Sequence, residues 1–239
     1  ESLNIPNPHQ QIKVAILQNG HWTGSRLITR PSIVTRNVLQ SNNEQEISFP
    51  GNKEWRWLDI RSFRFLSEKI ADAKHSDNAT EIFVMRDAPR KDLRFNFYRD
   101  INGKYVLENT ENLNPYWQGD YATVHFSLLP TAELNQPGKD IYLFGALTGY
   151  RLSPEARMKY DDADGLYKTS LKLKQGFYDY IYVTAGPQGN ISFEETEGSL
   201  WETENDYMIL VYYRALSGRA DELIGVSHIN SQTGRKNNL

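Results

Sequence analysis

The segment LKLKQGFYDYIYV, Leu171 to Val183, constrains the fold of this chain more than any other. Leu171 and Leu173 alternate with Lys172 and Lys174, Gln175-Gly176 interrupts the run, and Tyr178, Tyr180 and Tyr182 then stand two apart. A period of two puts alternate side chains on opposite faces of a strand, whereas a helical face repeats every ~3.6 residues. The segment therefore predicts two antiparallel strands around a tight turn. Its tyrosine face is expected in the core or on a half-exposed sheet face.

Similar runs recur along the chain: IKVAIL (Ile12 to Leu17), EWRWLDI (Glu54 to Ile60), EIFVMRD (Glu81 to Asp87) and LRFNFYRD (Leu93 to Asp100). The last is followed by Asn102-Gly103, a hairpin signal because both positions tolerate positive φ. The asparagine-rich stretch Asn109 to Gln118 has no periodicity and reads as a domain boundary. Beyond it come YATVHFSLL, DIYLFGALT, GLYKTSLKLK, GFYDYIYV, YMILVYYRA and ELIGVSHI. Six such runs separated by turn residues are the pattern of a β-sandwich. The expected architecture is all-β, with two tandem antiparallel β-sandwiches over residues 1–112 and 113–239. The one helix candidate is SFRFLSEKIADA, where Phe63, Leu66 and Ile70 have helical spacing while Phe63 and Phe65 fit a strand equally well. The tail SQTGRKNNL is polar and reads as frayed.

Composition narrows the function classes. A net charge of -3 is not the basic field of a nucleic-acid binder. No apolar run approaches the ~18 residues of a membrane helix, so no transmembrane segment is expected. The absence of cysteine removes thiolate metal sites, cysteine catalysis and disulfides. No signal peptide is seen at Glu1, which fits a cytoplasmic protein or a mature or trimmed chain.

Candidate chemistry is sparse. The cluster Asp161, Asp162, Asp164 with Gly165 suggests a calcium loop, but the alignment puts Tyr160 first and Leu171 last, where an EF-hand needs carboxylates. An acidic hairpin turn is the simpler expectation. Glu194, Glu195, Glu197, Glu202 and Glu204 fall in a polar stretch and read as a solvated face. The histidines His9, His21, His75, His125 and His228 show no ligand spacing, with His125 read as a packed or edge histidine of a strand. No nucleophile elbow or phosphate loop is present. No catalytic residue, metal ligand or cofactor is therefore expected. Aromatics are abundant, at 12% with five tryptophans. Most should fill the core, but Trp117 and Trp201 lie in polar, loop-like contexts and are candidates for surface contact.

Two resemblances add to this reading. IYLFGALTGY, DDADGLYKTSLKL and QGFYDYIYV, within Ile141 to Val183, resemble the glycogen- and starch-binding sandwich modules. Tyr150 stands near the position of a sugar-stacking tryptophan in those modules, and the lysine of their last strand is missing. The second resemblance spans nearly the whole chain. NPHQQIKVAILQNGHW, FPGNKEWRWLDIRSFRF, FYRDINGKY, GDYATVHFSL, YLFGALTGY, LKLKQGFYDYIYV and EGSLWETENDYMILVYYR, ending in DELIGV, are similar in order and spacing to the type IX secretion system plug protein family of Bacteroidota. Members look longer at the N-terminus, with a signal peptide and a further β-rich domain, so this chain would be a fragment of such a protein.

That resemblance implies a non-enzymatic periplasmic protein that associates with the outer-membrane β-barrel translocon and plugs its periplasmic opening. The alternative is a carbohydrate-binding module with Tyr150 in its platform, and a weaker one is a glycoside hydrolase using two loop glutamates.

Overall fold

The computed structural model describes residues 5–35, 38–112, 114 and 117–233. Among them the strands are, in chain order, β1 (Ile12–Gln18), β2 (His21–Ile28), β3 (Ile33–Val34), β4 (Leu39–Gln40), β5 (Arg56–Asp59), β6 (Ile70–His75), β7 (Thr80–Val84) and β8 (Tyr105–Leu107). They continue with β9 (Tyr121–Leu128), β10 (Asp140–Phe144), β11 (Lys159–Asp161), β12 (Leu166–Lys174), β13 (Gly176–Ala185), β14 (Ile191–Ser192), β15 (Asp206–Tyr213) and β16 (Glu222–Asn230). Described helix is limited to short turns such as Pro8–Gln11 and Glu44–Ile47. The fold is β-rich, as the period-two runs require.

The strands belong to two compact units, Asn52–Trp201 and a second one built from residues up to Gly51 together with those from Glu202 onward. The Asn52–Trp201 unit contains two five-stranded sheets. In one, β13 is central: β10 and β14 pair with it, and so do β5 and β8. The other runs β11-β12-β9-β7-β6. Its pairs are antiparallel except β7 with β9, which is parallel. A parallel neighbour needs a crossover, and the long connection carrying β8 supplies it.

The two sheets share one apolar core. Tyr178, Tyr180 and Tyr182 from β13, with Leu58 and Leu143 beside them, meet Val124, Phe126 and Leu128 of β9. This is sandwich-like packing of two inner faces. The outer face of β13 is covered as well: Ile181 and Val183 pack with Trp55, Tyr142, Phe144 and Phe193. Burial on both faces explains why β13 reads as a nearly continuous apolar run.

The other unit holds one four-stranded antiparallel sheet, ordered β16-β15-β1-β2, and the small β3-β4 ribbon. Ala15, Leu17 and Leu210 form its apolar cluster. A second facing sheet is not seen among its described residues, so the expected pair of tandem sandwiches is not found there.

The division expected at residue 112, within Asn109 to Gln118, also falls elsewhere. That stretch lies inside the Asn52–Trp201 unit, between β8 and β9, and Asn109 is buried with its Oδ1 accepting the Asn112 N–H at 3.0 Å. Its asparagines supply local side-chain hydrogen bonds, the usual reason for such composition in an ordered loop. Leu113, Pro115 and Tyr116 lie outside the described residues, as do residues 234–239 of the tail.

Two local expectations are corrected. Ser62 to Ala73 is not helical: Ser62 to Lys69 is a series of turns and β6 begins at Ile70. Leu93 to Asp100 is not a strand, because its polar groups go elsewhere: Lys53 Nζ donates to the Leu93 carbonyl and Tyr98 Oη to the Glu54 carbonyl. Asn102-Gly103 does turn, with φ of 54° and 77°, but the strand after it pairs with β13.

Candidate functional site

The densest cluster of charge lies beneath β13, and sequence reasoning missed it. Glu197, expected on a solvated face, is 1% exposed. Its Oε1 accepts from Arg56 Nε at 2.9 Å and from the Tyr182 N–H at 3.1 Å, and its Oε2 accepts from Arg90 Nε at 2.7 Å. Arg56 also donates to Asp87 Oδ1 at 2.7 Å and to the Ala88 carbonyl at 2.7 Å. Asp87 Oδ2 accepts the hydroxyls of Tyr180 and Tyr182 at 2.8 and 2.9 Å. Arg90 reaches Tyr98 Oη and the Glu54 carbonyl.

Burial alone would push the Glu197 carboxyl up, but Arg56 and Arg90 together hold it below the usual carboxylate range. Burial likewise opposes charge on Arg56, and Glu197 with Asp87 outweighs it. Both oxygens of each carboxylate are occupied. The cluster therefore acts as a clamp joining β5, β13, the 85–98 segment and the loop before Gly198, and it offers no free group to a substrate.

A second arrangement looks catalytic at first. On the outer face of β12, β9 and β7, Ser170 Oγ lies 2.7 Å from His125 Nδ1, and His125 Nε2 lies 3.4 Å from Glu81 Oε1. His125 also stacks on Phe83, with centroids 4.5 Å apart and planes 14° apart. Register places Ser170 opposite His125 in the β12–β9 ladder. Ser170 is thus a mid-strand residue, not one on a turn with free N–H groups beside it. A serine nucleophile needs such donors for the developing oxyanion. The row lacks them, and His125 is a packed sheet histidine, as the strand pattern suggested.

The Asp161–Gly165 segment is the hairpin turn between β11 and β12. Gly165 has φ of 65°, and Lys168 Nζ bridges Asp161 and Asp164. Among the described residues no group of three or more His, Asp or Glu could hold a metal ion. No described helix is long and apolar enough to cross a membrane.

The sequence-predicted contact residues separate. Trp117 and Trp201 are 83% and 72% exposed. Tyr150 is half-buried, with its hydroxyl on the Gly103 carbonyl at 2.8 Å and its ring edge-on to Trp55 and Phe144. Its ring is therefore no part of an exposed sugar platform, and burial pushes its hydroxyl up to about 12. The near-parallel pair Trp57 and Phe177 is already covered by cations, Lys69 over Trp57 and Arg61 over Phe177.

Phe65 is a better surface anchor and had no sequence signal beyond an ambiguous period. It is 83% exposed and Leu66 beside it is also exposed, while Phe63 is buried in the core. Glu111 Oε1 accepts the N–H groups of Phe63 and Arg64 and the Ser62 hydroxyl, at 2.6–2.9 Å. Ser62 Oγ in turn accepts the Phe65 N–H at 2.7 Å, and Gln175 holds the other Glu111 oxygen. The turn is pinned by its own hydrogen bonds and projects one aromatic ring outward.

No family model matches the chain, and no curated protein matches it. Among solved structures it is similar to a hypothetical protein from Parabacteroides merdae, with a TM-score of 0.85 and 25% identity over 95% of this chain. The chain spans 56% of the length of that protein.

Proposed function

We propose that this chain is a non-enzymatic binding protein of the periplasm that docks on the outer-membrane β-barrel translocon of the type IX secretion system and closes its periplasmic opening. The resemblance of seven ordered segments to the plug family supplies the partner. The Asn52–Trp201 unit serves as a sandwich of the immunoglobulin-like or glycan-module-like kind that presents loops to that partner. One observation carries the binding role: Phe65 is held outside the core by a turn whose donors are already satisfied. A pre-ordered aromatic loses little conformational freedom on docking and is the side chain that most often anchors an interface. The clamp around Glu197 and the Ser170 row, one fully occupied and the other without oxyanion donors, favour binding over turnover.

The test is recovery of the barrel on the tagged protein from detergent-solubilised envelopes. The wild type is expected to retain one very large outer-membrane barrel. Phe65→Ala is expected to lower its recovery about tenfold or more, within the range of interface anchors, and Trp117→Ala and Trp201→Ala less. Point variants are the right tool because deleting residues 109–239 would remove β9 through β16. Absence of the barrel from wild-type eluates, in cells shown to make the translocon, would sink the proposal.

A further inference from the structure

The turn from Asp100 to Lys104 is held on β13 by a carboxyl that has no counter-ion among the described residues. Asp179 is fully buried. Its Oδ2 accepts the Ile101 N–H at 2.7 Å and the Gly103 N–H at 3.2 Å, and its own N–H donates to the Lys104 carbonyl at 2.9 Å. Its Oδ1 has no hydrogen-bond partner among the described residues. The same turn is gripped from two other elements. The Trp55 N–H donates to Asp100 Oδ2 at 2.6 Å, and the Tyr150 hydroxyl and Ala146 N–H both donate to the Gly103 carbonyl at 2.8 Å.

The titratable groups that face Asp179 are thus Asp100, from the turn itself, and Tyr150, from the segment after β10. Neither can supply positive charge. On β5, Arg56 is in register with Tyr180 and Trp57 with Asp179, so alternation sends Arg56 to the opposite face. Burial pushes the Asp179 carboxyl up to about 7, with the Ile101 N–H opposing the shift and Asp100 adding to it. Asp100 is also raised, chiefly by burial. Beyond the turn, β8 has three residues, all exposed, held by its ladder to Gly176–Tyr178 and by the Tyr105 ring, 5.5 Å from that of Tyr178.

We propose that Asp179 is a protonation-dependent latch for the Asp100–Leu107 segment. With its proton the turn stays docked. Without it the turn and β8 detach, carboxylates reach water, and the Gly176–Tyr178 edge of β13 is freed. The direction follows from linkage. The docked form keeps the proton up to about pH 7, whereas a hydrated aspartate releases it near 4, so docking weakens about tenfold per pH unit between these values and no further above them. This inference is independent of the translocon reading.

Hydrogen exchange of the full chain, corrected for intrinsic rates, tests it at pH 5 and pH 8. The Ile101 and Gly103 amides are expected to lose about a hundredfold protection over that range, while staying less protected than the β9–β12 ladder. Asp179→Asn is expected to remove most of the pH dependence of these two amides, leaving the smaller part that Asp100 carries. If that variant does not fold, carbon-13 carboxyl titration of the wild type replaces it, and an Asp179 midpoint near neutrality supports the latch. Protection independent of pH, an Asp179 midpoint near 4, or turn amides as protected as the ladder at pH 8 would each overturn it.

Discussion

Replacing Glu197 with alanine is expected to destabilise the Asn52–Trp201 unit by about 3–5 kcal/mol, the usual result of removing one partner from a buried ion pair. The reason is the orphaned charge. Arg56 and Arg90 would both face the vacated site, one of them almost fully buried. The Tyr182 N–H would also lose its acceptor in the middle of the core strand. Denaturant unfolding reads the loss directly, and exchange of the amides of β9, an interior strand between β12 and β7, follows it. A loss below about 1 kcal/mol would mean the clamp contributes little, as an exposed pair would.

The same carboxyl gives a pH signature. Its folded-state value lies below the unfolded one, so its contribution is present above the unfolded range near 4.5 and fades as pH falls through the folded value. Asp179 acts in the opposite sense, because its folded value lies above the unfolded one: stability falls as pH rises from about 4 to about 7. Stability of the wild type is thus expected to peak near pH 4, where the two opposing slopes cancel. Glu197→Gln should flatten the acid limb alone.

Gly103→Ala carries the second large effect, expected at about 2–4 kcal/mol from positive-φ strain and overpacking together. Gly103 has φ of 77°, and an added Cβ would sit 2.5 Å from two carbons of the Trp55 ring. Trp55 cannot yield easily, since it is buried with Ile181 and Val183. Gly189 provides the control in the same unit: its φ is 74° but nothing lies within 4 Å of its Cβ position. Gly189→Ala should therefore show only the conformational part, about 1 kcal/mol. Equal losses at the two positions would mean that Trp55 moves aside freely. Thermal or denaturant unfolding of the three chains suffices.

Much of the β-architecture was legible because alternation in water has one cause. Tyr178, Tyr180 and Tyr182 alternate, and all three are buried in the core between the sheets. Sheet partners were not legible. Nothing local in β5 says that Arg56–Asp59 pairs with β13 more than a hundred residues on, or that β7 and β9 run parallel. The error at Asn109 to Gln118 has the same origin, since an asparagine-rich loop capped by its own side chains has the composition of a linker.

Of the candidate contacts, Trp117 and Trp201 are exposed as their polar neighbours suggested, whereas Tyr150 is drawn inward by the Gly103 carbonyl, a partner 47 residues away. Glu197 was misread because neighbouring glutamates made it look solvated, while its partners Arg56 and Arg90 are distant in sequence. Asp179 gave no signal either, being one acid among tyrosines. Charge networks of this kind are closed by tertiary contacts, so residue type alone does not announce them.

The four-stranded sheet joins β1 and β2 to β15 and β16, with Ile12 opposite Tyr213, while the other unit is one continuous stretch whose ends meet through Leu200 N–H and the Asn52 carbonyl. Synthesis is vectorial, so order of emergence matters. The continuous unit can assemble as soon as residue 201 is available. β1 and β2 gain their sheet partner only when β15 arrives, more than 170 residues after the end of β2. A lone hairpin is marginal in water. During that interval the early strands are the part of the chain most in need of a chaperone.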